Sequence, residues 1–437
     1  MLKSFKIITL GCKVNQYESA YLREQLAGAG WRHAGRKEMA DVAIVNTCIV
    51  TQEATHQSRQ AIRKAIRDNP DGVVAAIGCY AQALPEEISK IRGLALIADN
   101  CSKRQLPKIL MELGTETPAE RTLLSNPFEA GMPFEPLPIG QFPDRARAYL
   151  KVQDGCESFC SYCIVPFSRG PYRSLSPKKV LSSIESLAKA GHKEIVITGI
   201  HLGKYGIDLE GGFDLCRLLK MIGKEGFPMR FRLTSLEPDE INPALVELVA
   251  GEAWLCRHFH IPLQSGDNEV LQRMNRNYTV LQFKRLVEFI HWKMPLAAIG
   301  VDIMAGFPGE DLAAHRNSLS LIRDLPVSYL HVFPFSSRPG TPASNFDGKL
   351  DPSVIKERAA RLRELGQKKR IEFYRNCLGK EFIVLAEKWY SKKNKMLKGT
   401  TDNYLPVVFG QPYDSEDRLF SIRTEAVSKD MVIASLL

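Results

Sequence analysis

The chain has 437 residues, 44% of them hydrophobic and 25% charged, which is long enough for two or three domains with apolar cores of their own. No apolar run approaches the roughly 18 residues of a membrane helix, and residues 1–7 lack the apolar stretch of a signal peptide, so a cytoplasmic protein with no membrane partner is expected. In a reducing compartment ten cysteines point to metal rather than disulfides, and 59 basic against 49 acidic side chains point to a polyanionic partner.

In chain order, apolar runs at 5–10, 42–45 and 73–77 alternate with amphipathic stretches at 19–28 and 55–67. This β-α-β-α-β rhythm predicts an α/β domain with a flavodoxin-like parallel sheet. A cysteine follows each run: Cys12 after Gly11, Cys48 after Asn46-Thr47, and Cys79 after Gly78. Ligands in open parallel sheets bind beyond the carboxyl ends of the strands, so these thiols are expected to converge as one three-ligand cluster site. The two glycines would let backbone approach a bulky cluster. Cys101, Cys216, Cys256 and Cys377 lack such company and read as structural. Residues 115–144, with Pro118, Pro127, Pro133, Pro136, Pro138 and Pro143, read as a linker crossing a domain surface.

A second alternation begins at 146. Strands are expected at 149–152, 194–198, 230–234, 259–261, 300–304 and 329–333, with helices such as 177–191 and 280–293 between them. Six β-α units make a partial (β/α)6 barrel whose chemistry gathers in the loops after its strands. The first such loop carries Cys156-Glu157-Ser158-Phe159-Cys160-Ser161-Tyr162-Cys163. Three thiols are one ligand short of a structural zinc site, whereas a [4Fe-4S] cluster held by three cysteines keeps one iron open. A zinc knuckle with a distant fourth ligand and buried core cysteines are the competing readings; a polar, glycine-led loop argues against the latter. The spacing, and Tyr162 before the last cysteine, resemble the signature of the radical S-adenosylmethionine (SAM) enzymes, in which the amino-acid end of SAM chelates the open iron.

The other loops are polar and glycine-bearing. Arg169, Gly199, Ser235, Glu237 and Gln264 are expected to contact SAM, and 306–310 forms a further loop of this kind. Glu237 equally suits a helix cap, and His201 equally suits a satisfied loop histidine. The Gly-Gly-Glu motif of many radical SAM enzymes is replaced by Gly199-Ile200, which leaves the SAM amino-group contact unassigned. No catalytic side chain is assigned.

The last segment opens with a helix expected over 352–377, capped by Asp351 and ended by Gly379. Strand-like runs at 382–386, 404–409, 419–422 and 431–433 then predict a small β-barrel, with Trp389, Tyr390 and Tyr404 among lysines. Between 356 and 398 fourteen Lys and Arg face five Glu. Basic and aromatic residues on a small barrel suit RNA.

With Gly11-Cys12-Lys13-Val14-Asn15-Gln16-Tyr17-Glu18-Ser19, Asn46-Thr47-Cys48, Gly78-Cys79-Tyr80-Ala81-Gln82 and the Cys156 loop in view, the whole chain resembles the radical SAM methylthiotransferases. The resemblance implies an auxiliary-cluster domain at 1–114, a radical SAM core at 142–373 and a TRAM RNA-binding domain at 374–437. It also implies two [4Fe-4S] clusters, one on Cys12, Cys48 and Cys79 and one on Cys156, Cys160 and Cys163. The implied partners are SAM, the anticodon stem-loop of tRNA, an electron donor such as flavodoxin or ferredoxin, and a sulfur source.

Cys12-Lys13-Val14-Asn15 and Thr198-Gly199-Ile200-His201 are most similar to the branch that acts on N6-threonylcarbamoyladenosine at tRNA position 37. The isopentenyladenosine branch typically has Gln-Met-Asn after its first cysteine, and the ribosomal-protein branch Pro-Lys-Asn. Adenine C2 has a strong C–H bond and no leaving group, so acid-base and nucleophilic routes offer little and a radical is needed. In the family one SAM yields a 5′-deoxyadenosyl radical that activates C2, a second methylates a sulfur on the auxiliary cluster, and the methylthio group passes to C2. The alternatives are isopentenyladenosine as substrate, a non-catalytic iron-sulfur electron carrier, and an RNA-binding scaffold holding zinc.

Overall fold

The computed structural model describes residues 3–35, 37–113, 121–142, 145–410 and 418–437. Strands β1 (Ser4–Thr9), β2 (Arg32–His33), β3 (Val42–Thr47), β4 (Val73–Gly78), β5 (Leu96–Ala98) and β6 (Thr122–Leu124) form one parallel sheet, ordered β2-β1-β3-β4-β5-β6. Every residue of β3 and β4 is buried, as expected of parallel strands covered on both faces. The strand order reverses at β1 and β3, the place where such sheets open a crevice, and the ends of β1, β3 and β4 deliver Cys12, Cys48 and Cys79. β2, β5 and β6 were not foreseen, being too short to show a period.

The expected surface linker is corrected by the structure in its described part. Residues 115–120 and 143–144 lie outside the described residues, but Leu137, Ile139 and Phe142 are buried and the Tyr17 hydroxyl donates to the Leu137 carbonyl at 2.6 Å. These apolar residues bury between the first two domains, which share one apolar core.

In the second domain β7 (Arg147–Lys151) leads to a short antiparallel ribbon, β8 (Gln153–Asp154) with β9 (Arg173–Ser174), that brackets the Cys156 loop. The remaining strands, β10 (Glu194–Thr198), β11 (Arg230–Leu233), β12 (His258–Gln264), β13 (Ala298–Ala305) and β14 (Tyr329–Pro334), lie in two parallel sheets, β11-β10-β7 and β12-β13-β14. A single parallel bridge, Phe231 to Leu255, carries one sheet toward the other. The six strands match the expected partial barrel. β7 and β14 are its edges, and the helix Lys13–Gly28 of the first domain packs against β7.

The helix Pro352–Asn376 is capped by Asp351, which accepts from the Ser353 N–H at 2.7 Å. Its Arg358 donates to Glu310 at 2.7 Å, so the 306–310 loop fastens this helix, while Phe307 of the same loop packs edge-on against Tyr162 of the cysteine loop. The last domain is a closed five-stranded barrel: β15 (Glu381–Ser391), β16 (Met396–Thr401), β17 (Pro406–Gly410), β18 (Leu419–Ser428) and β19 (Met431–Leu436), ordered β15-β16-β17-β19-β18. β16 was missed because Lys398 and the lysines just before the strand hide its alternation. Arg230 and Arg232 seat this barrel, donating to the carbonyls of Ile383, Thr400, Thr401 and Asp402 at 2.7–3.0 Å while Glu194 neutralises both. Among the described residues no helix is long and apolar enough to cross a membrane.

Candidate active site between two cysteine triads

The Cys156 loop is shaped by its glycine. Gly155 sits at φ +80°, and a Cβ there would lie 1.7 Å from the Pro171 carbonyl oxygen, so only glycine lets the chain turn under the returning strand. The Cys156 N–H then donates to the Gly170 carbonyl at 2.9 Å. Cys156, Cys160 and Cys163 open onto one cavity of about 370 Å³, whose walls include Ser235, Glu237 and Gln264 from the ends of successive strands. Val50 and Thr51, just beyond Cys48, close it from the first domain.

Three of the five expected SAM contacts therefore face this cavity, and two do not. Gly199 packs behind it, where a Cβ would stand 2.8 Å from Gln153 Oε1, while its neighbours Ile200 and His201 reach the cavity. Arg169 points the other way. It is 1% exposed, and its guanidinium donates to Cys79 Sγ at 3.2 Å, Glu18 at 2.5 Å and Asn15 at 2.7 Å, all in the first domain. Glu237 caps, as one of its two expected roles required, by completing a capping box with Glu240, and it also lines the cavity, where it pairs with Arg276.

Two groups touch these thiols: His201, which the sequence left open between a functional and a satisfied loop histidine, and Arg276, which it did not single out. His201 Nδ1 lies 3.3 Å from Cys156 Sγ and its Nε2 lies 2.6 Å from Glu240. Burial would discharge this imidazole, but these two hydrogen bonds outweigh it and raise its pKa to about 9. The same bond outweighs burial of the Cys156 thiol and favours its thiolate. Arg276 donates to Cys160 Sγ at 3.1 Å. No motif marks it, because it arrives from a distant loop.

The other triad lies where the carboxyl ends of β1, β3 and β4 meet. Gly11, at φ +87°, passes so close that a Cβ would be 2.8 Å from Cys48 Sγ. Cys12 is solvent-exposed, yet the atoms crowded around its thiol raise it by desolvation, with Arg169 opposing and Cys79 adding; burial with Cys79 raises Cys48 to about 12. Burial with Cys160 likewise raises Cys163 to about 12. Such thiols ionise when a cation binds them. Glu18 stays ionised in spite of burial because Arg169, Lys103 and Lys151 surround it. At the start of the adjacent helix, burial and the guanidinium groups of Arg232 and Arg147 lower the Lys13 ammonium to about 8.

Each donor set suits an iron-sulfur cluster. A single tetrahedral zinc at about 2.3 Å from each sulfur would draw three sulfurs to within about 4 Å of one another. Among the described residues the ligand-type side chains whose donor atoms all lie within 4.8 Å of one another are His260, Asp302 and His331, not a cysteine triad. Sulfurs held further apart fit a cluster whose ligands bind different irons. Cys101 and Cys216 are partly buried and Cys256 and Cys377 fully so, all outside both triads.

Residues 4–98 match the family described as uncharacterized protein family UPF0004, and residues 150–322 match the radical SAM superfamily. The chain is 37% identical to the threonylcarbamoyladenosine tRNA methylthiotransferase MtaB of Aquifex aeolicus, over 91% of this chain and 95% of that one. The protein of the same name from Bacillus subtilis is 36% identical over 95% and 92%. The tRNA-2-methylthio-N(6)-dimethylallyladenosine synthase of Dictyoglomus thermophilum is 30% identical over 98% and 99%. Among solved structures, the radical SAM methyltransferase TsrM of Kitasatospora setae superposes with a TM-score of 0.54 at 16% identity, covering 84% of this chain and 91% of that one, a likeness of fold.

Proposed function

The chain belongs to the radical SAM tRNA methylthiotransferases, and from that premise we propose that it methylthiolates C2 of N6-threonylcarbamoyladenosine at position 37 of tRNA. The observation that supports this most is the pair of three-cysteine sets, one in each of two domains, with the Cys156 set opening onto a cavity that Val50 and Thr51 of the other domain help to close. For the nucleoside, the support is Lys13 together with the names of the two relatives at 36–37% identity. The relatives named for dimethylallyladenosine, at 30–31% identity, keep that substrate as the second reading.

In this reading Cys156, Cys160 and Cys163 hold one [4Fe-4S] cluster, and Cys12, Cys48 and Cys79 hold another. When bound, the two clusters with SAM would supply the one-electron and sulfur-transfer chemistry that an unactivated C2–H requires. The protein's own part is positional. Ser235, Glu237 and Gln264 offer polar groups to SAM, Arg276 and His201 fix the cysteine loop, and Val50 and Thr51 help to exclude water. The domain limits 1–114, 142–373 and 374–437 follow the same reading, as do an electron donor, a sulfur source and a cytoplasmic location.

The test is to incubate the reconstituted protein with tRNA carrying either the threonylcarbamoyl or the isopentenyl nucleoside and to digest the product for nucleoside mass spectrometry. A methylthio group on the threonylcarbamoyl nucleoside is expected. Preference for the isopentenyl substrate overturns the choice of nucleoside, and zinc without acid-labile sulfide in the isolated protein overturns the enzyme reading.

A further inference from the structure

The second domain's barrel is open between its edges β7 and β14, and a second cavity of about 350 Å³ lies at that opening. Its walls bring together Arg147 of β7, Tyr329 and His331 of β14, Arg370 of the long helix, and Lys398 and Tyr404 of the small barrel. A side chain of this cavity touches a side chain of the cysteine cavity. Asp302 lines the first cavity, His331 lines the second, and His331 Nδ1 lies 3.2 Å from Asp302 Oδ1. His260 holds the same carboxylate oxygen at 2.6 Å, so Asp302 is already spoken for by two imidazoles.

The charge in the second cavity is unbalanced. Its carboxylate, Glu387, is taken by Arg147 and by the Thr400 hydroxyl. The side chains of Arg370 and Lys398 are half-buried and make no hydrogen bond or ion pair among the described residues. Drawing two cations partly out of water without a partner is costly, which suits a place that receives an anion. A nucleoside in the first cavity could direct a substituent across the Asp302–His331 pair into this space.

We propose that the second cavity is the specificity pocket for the N6 substituent of the substrate adenosine, with Arg370 and Lys398 pairing with its carboxylate. The inference rests on the threonylcarbamoyl reading above and deepens it. An apolar isopentenyl group would leave both cations unpaired, so the pocket discriminates through charge. An RNA phosphate offers the same anionic chemistry, and the experiment separates the two sources.

Anticodon stem-loop RNA is prepared with the threonylcarbamoyl group as its free acid and as its neutral methyl ester. kcat/KM for methylthiolation, and Kd without SAM, are measured for both in the wild type, Arg370→Gln, Lys398→Gln and Arg370→Lys. A charge-assisted pair makes the wild type favour the acid by about 10- to 100-fold. That preference should collapse toward unity in the two neutral variants and persist in Arg370→Lys. The pocket is refuted if the wild type treats acid and ester alike. It is also refuted if the neutral variants weaken both RNAs equally and keep their ratio, for the cations then hold phosphate. A wild type that prefers isopentenyl RNA to both is a different result, and removes the threonylcarbamoyl reading itself. Should a neutral variant fail to fold, the wild-type acid-to-ester ratio and Arg370→Lys still decide.

Discussion

Arg169 Nε donates to Cys79 Sγ at 3.2 Å, across the boundary between two domains. Arg169 ends the short helix that follows the Cys156–Cys163 loop, so one side chain ties the loop of one triad to a thiol of the other. Partners of this kind orient metal ligands and tune what they hold. Arg169→Lys keeps a charge but loses the fork that also grips Glu18 and Asn15. Iron bound by the Cys12 triad should weaken about 10- to 100-fold in chelator competition, with iron at the Cys156 triad retained. Equal loss from both sites would mean that Arg169 serves the fold alone.

The triads should also separate by function. Replacing Cys156, Cys160 and Cys163 by Ala is expected to abolish reductive SAM cleavage while the other site keeps its iron. Replacing Cys12, Cys48 and Cys79 is expected to leave SAM cleavage but remove the methylthio product. Multiple turnovers from the second triple variant would contradict the assignment of an auxiliary cluster.

Gly155→Ala tests the turn beneath the first loop. The positive φ alone costs about 1–3 kcal/mol, and the added Cβ meets the Pro171 carbonyl at 1.7 Å. The loop must shift, so iron at this site and 5′-deoxyadenosine formation should both fall, with the fold of the last domain intact by circular dichroism. Wild-type iron content in Gly155→Ala would show that the loop does not depend on this turn.

Two basic clusters that look alike in sequence should behave differently. Lys392 and Lys393 are exposed, so replacing Lys392, Lys393 and Lys395 by Ala should weaken tRNA binding and flatten its dependence on salt by roughly one unit per lost phosphate contact. Lys369 is buried, with its ammonium on the Arg323 carbonyl at 3.2 Å. Lys369→Ala should lower Tm and leave the salt slope unchanged. A slope unaltered in the triple variant would reduce those lysines to solvated surface.

Acid should destabilise the protein partly through His315. Burial, with Arg358 and Arg361 nearby and only partly offset by Glu357, lowers its pKa from 6.5 to about 4. As pH falls below 6.5 the unfolded chain takes up this proton before the folded one, so stability is lost from about pH 6.5 down to about pH 4 and no further from this group. In His315→Asn, Tm should fall less steeply over that window. Parallel curves for the two proteins would show that His315 is not held neutral.

Much of this was legible in the chain. Period and cysteine spacing were local signals, so the three strand-cysteine units, the Cys156 loop and the six barrel strands were found within a few residues of where they stand. Lysines masked β16, and the run through Leu137 and Phe142 read as linker because its burial depends on a neighbour that sequence does not display. The direction of Arg169, the approach of Arg276 to Cys160, and the joining of His260, Asp302 and His331 required the fold, since each links side chains brought together only by packing of separate strands and loops. Sequence alone displayed the Cys156, Cys160 and Cys163 thiols as one group, because spacing within a loop is covalent, and it led to the expectation that Cys12, Cys48 and Cys79 converge because each follows a strand of one sheet. Tertiary structure decided which charges surround them and which cations go unpaired, because electrostatic contacts depend on distance through space rather than along the chain.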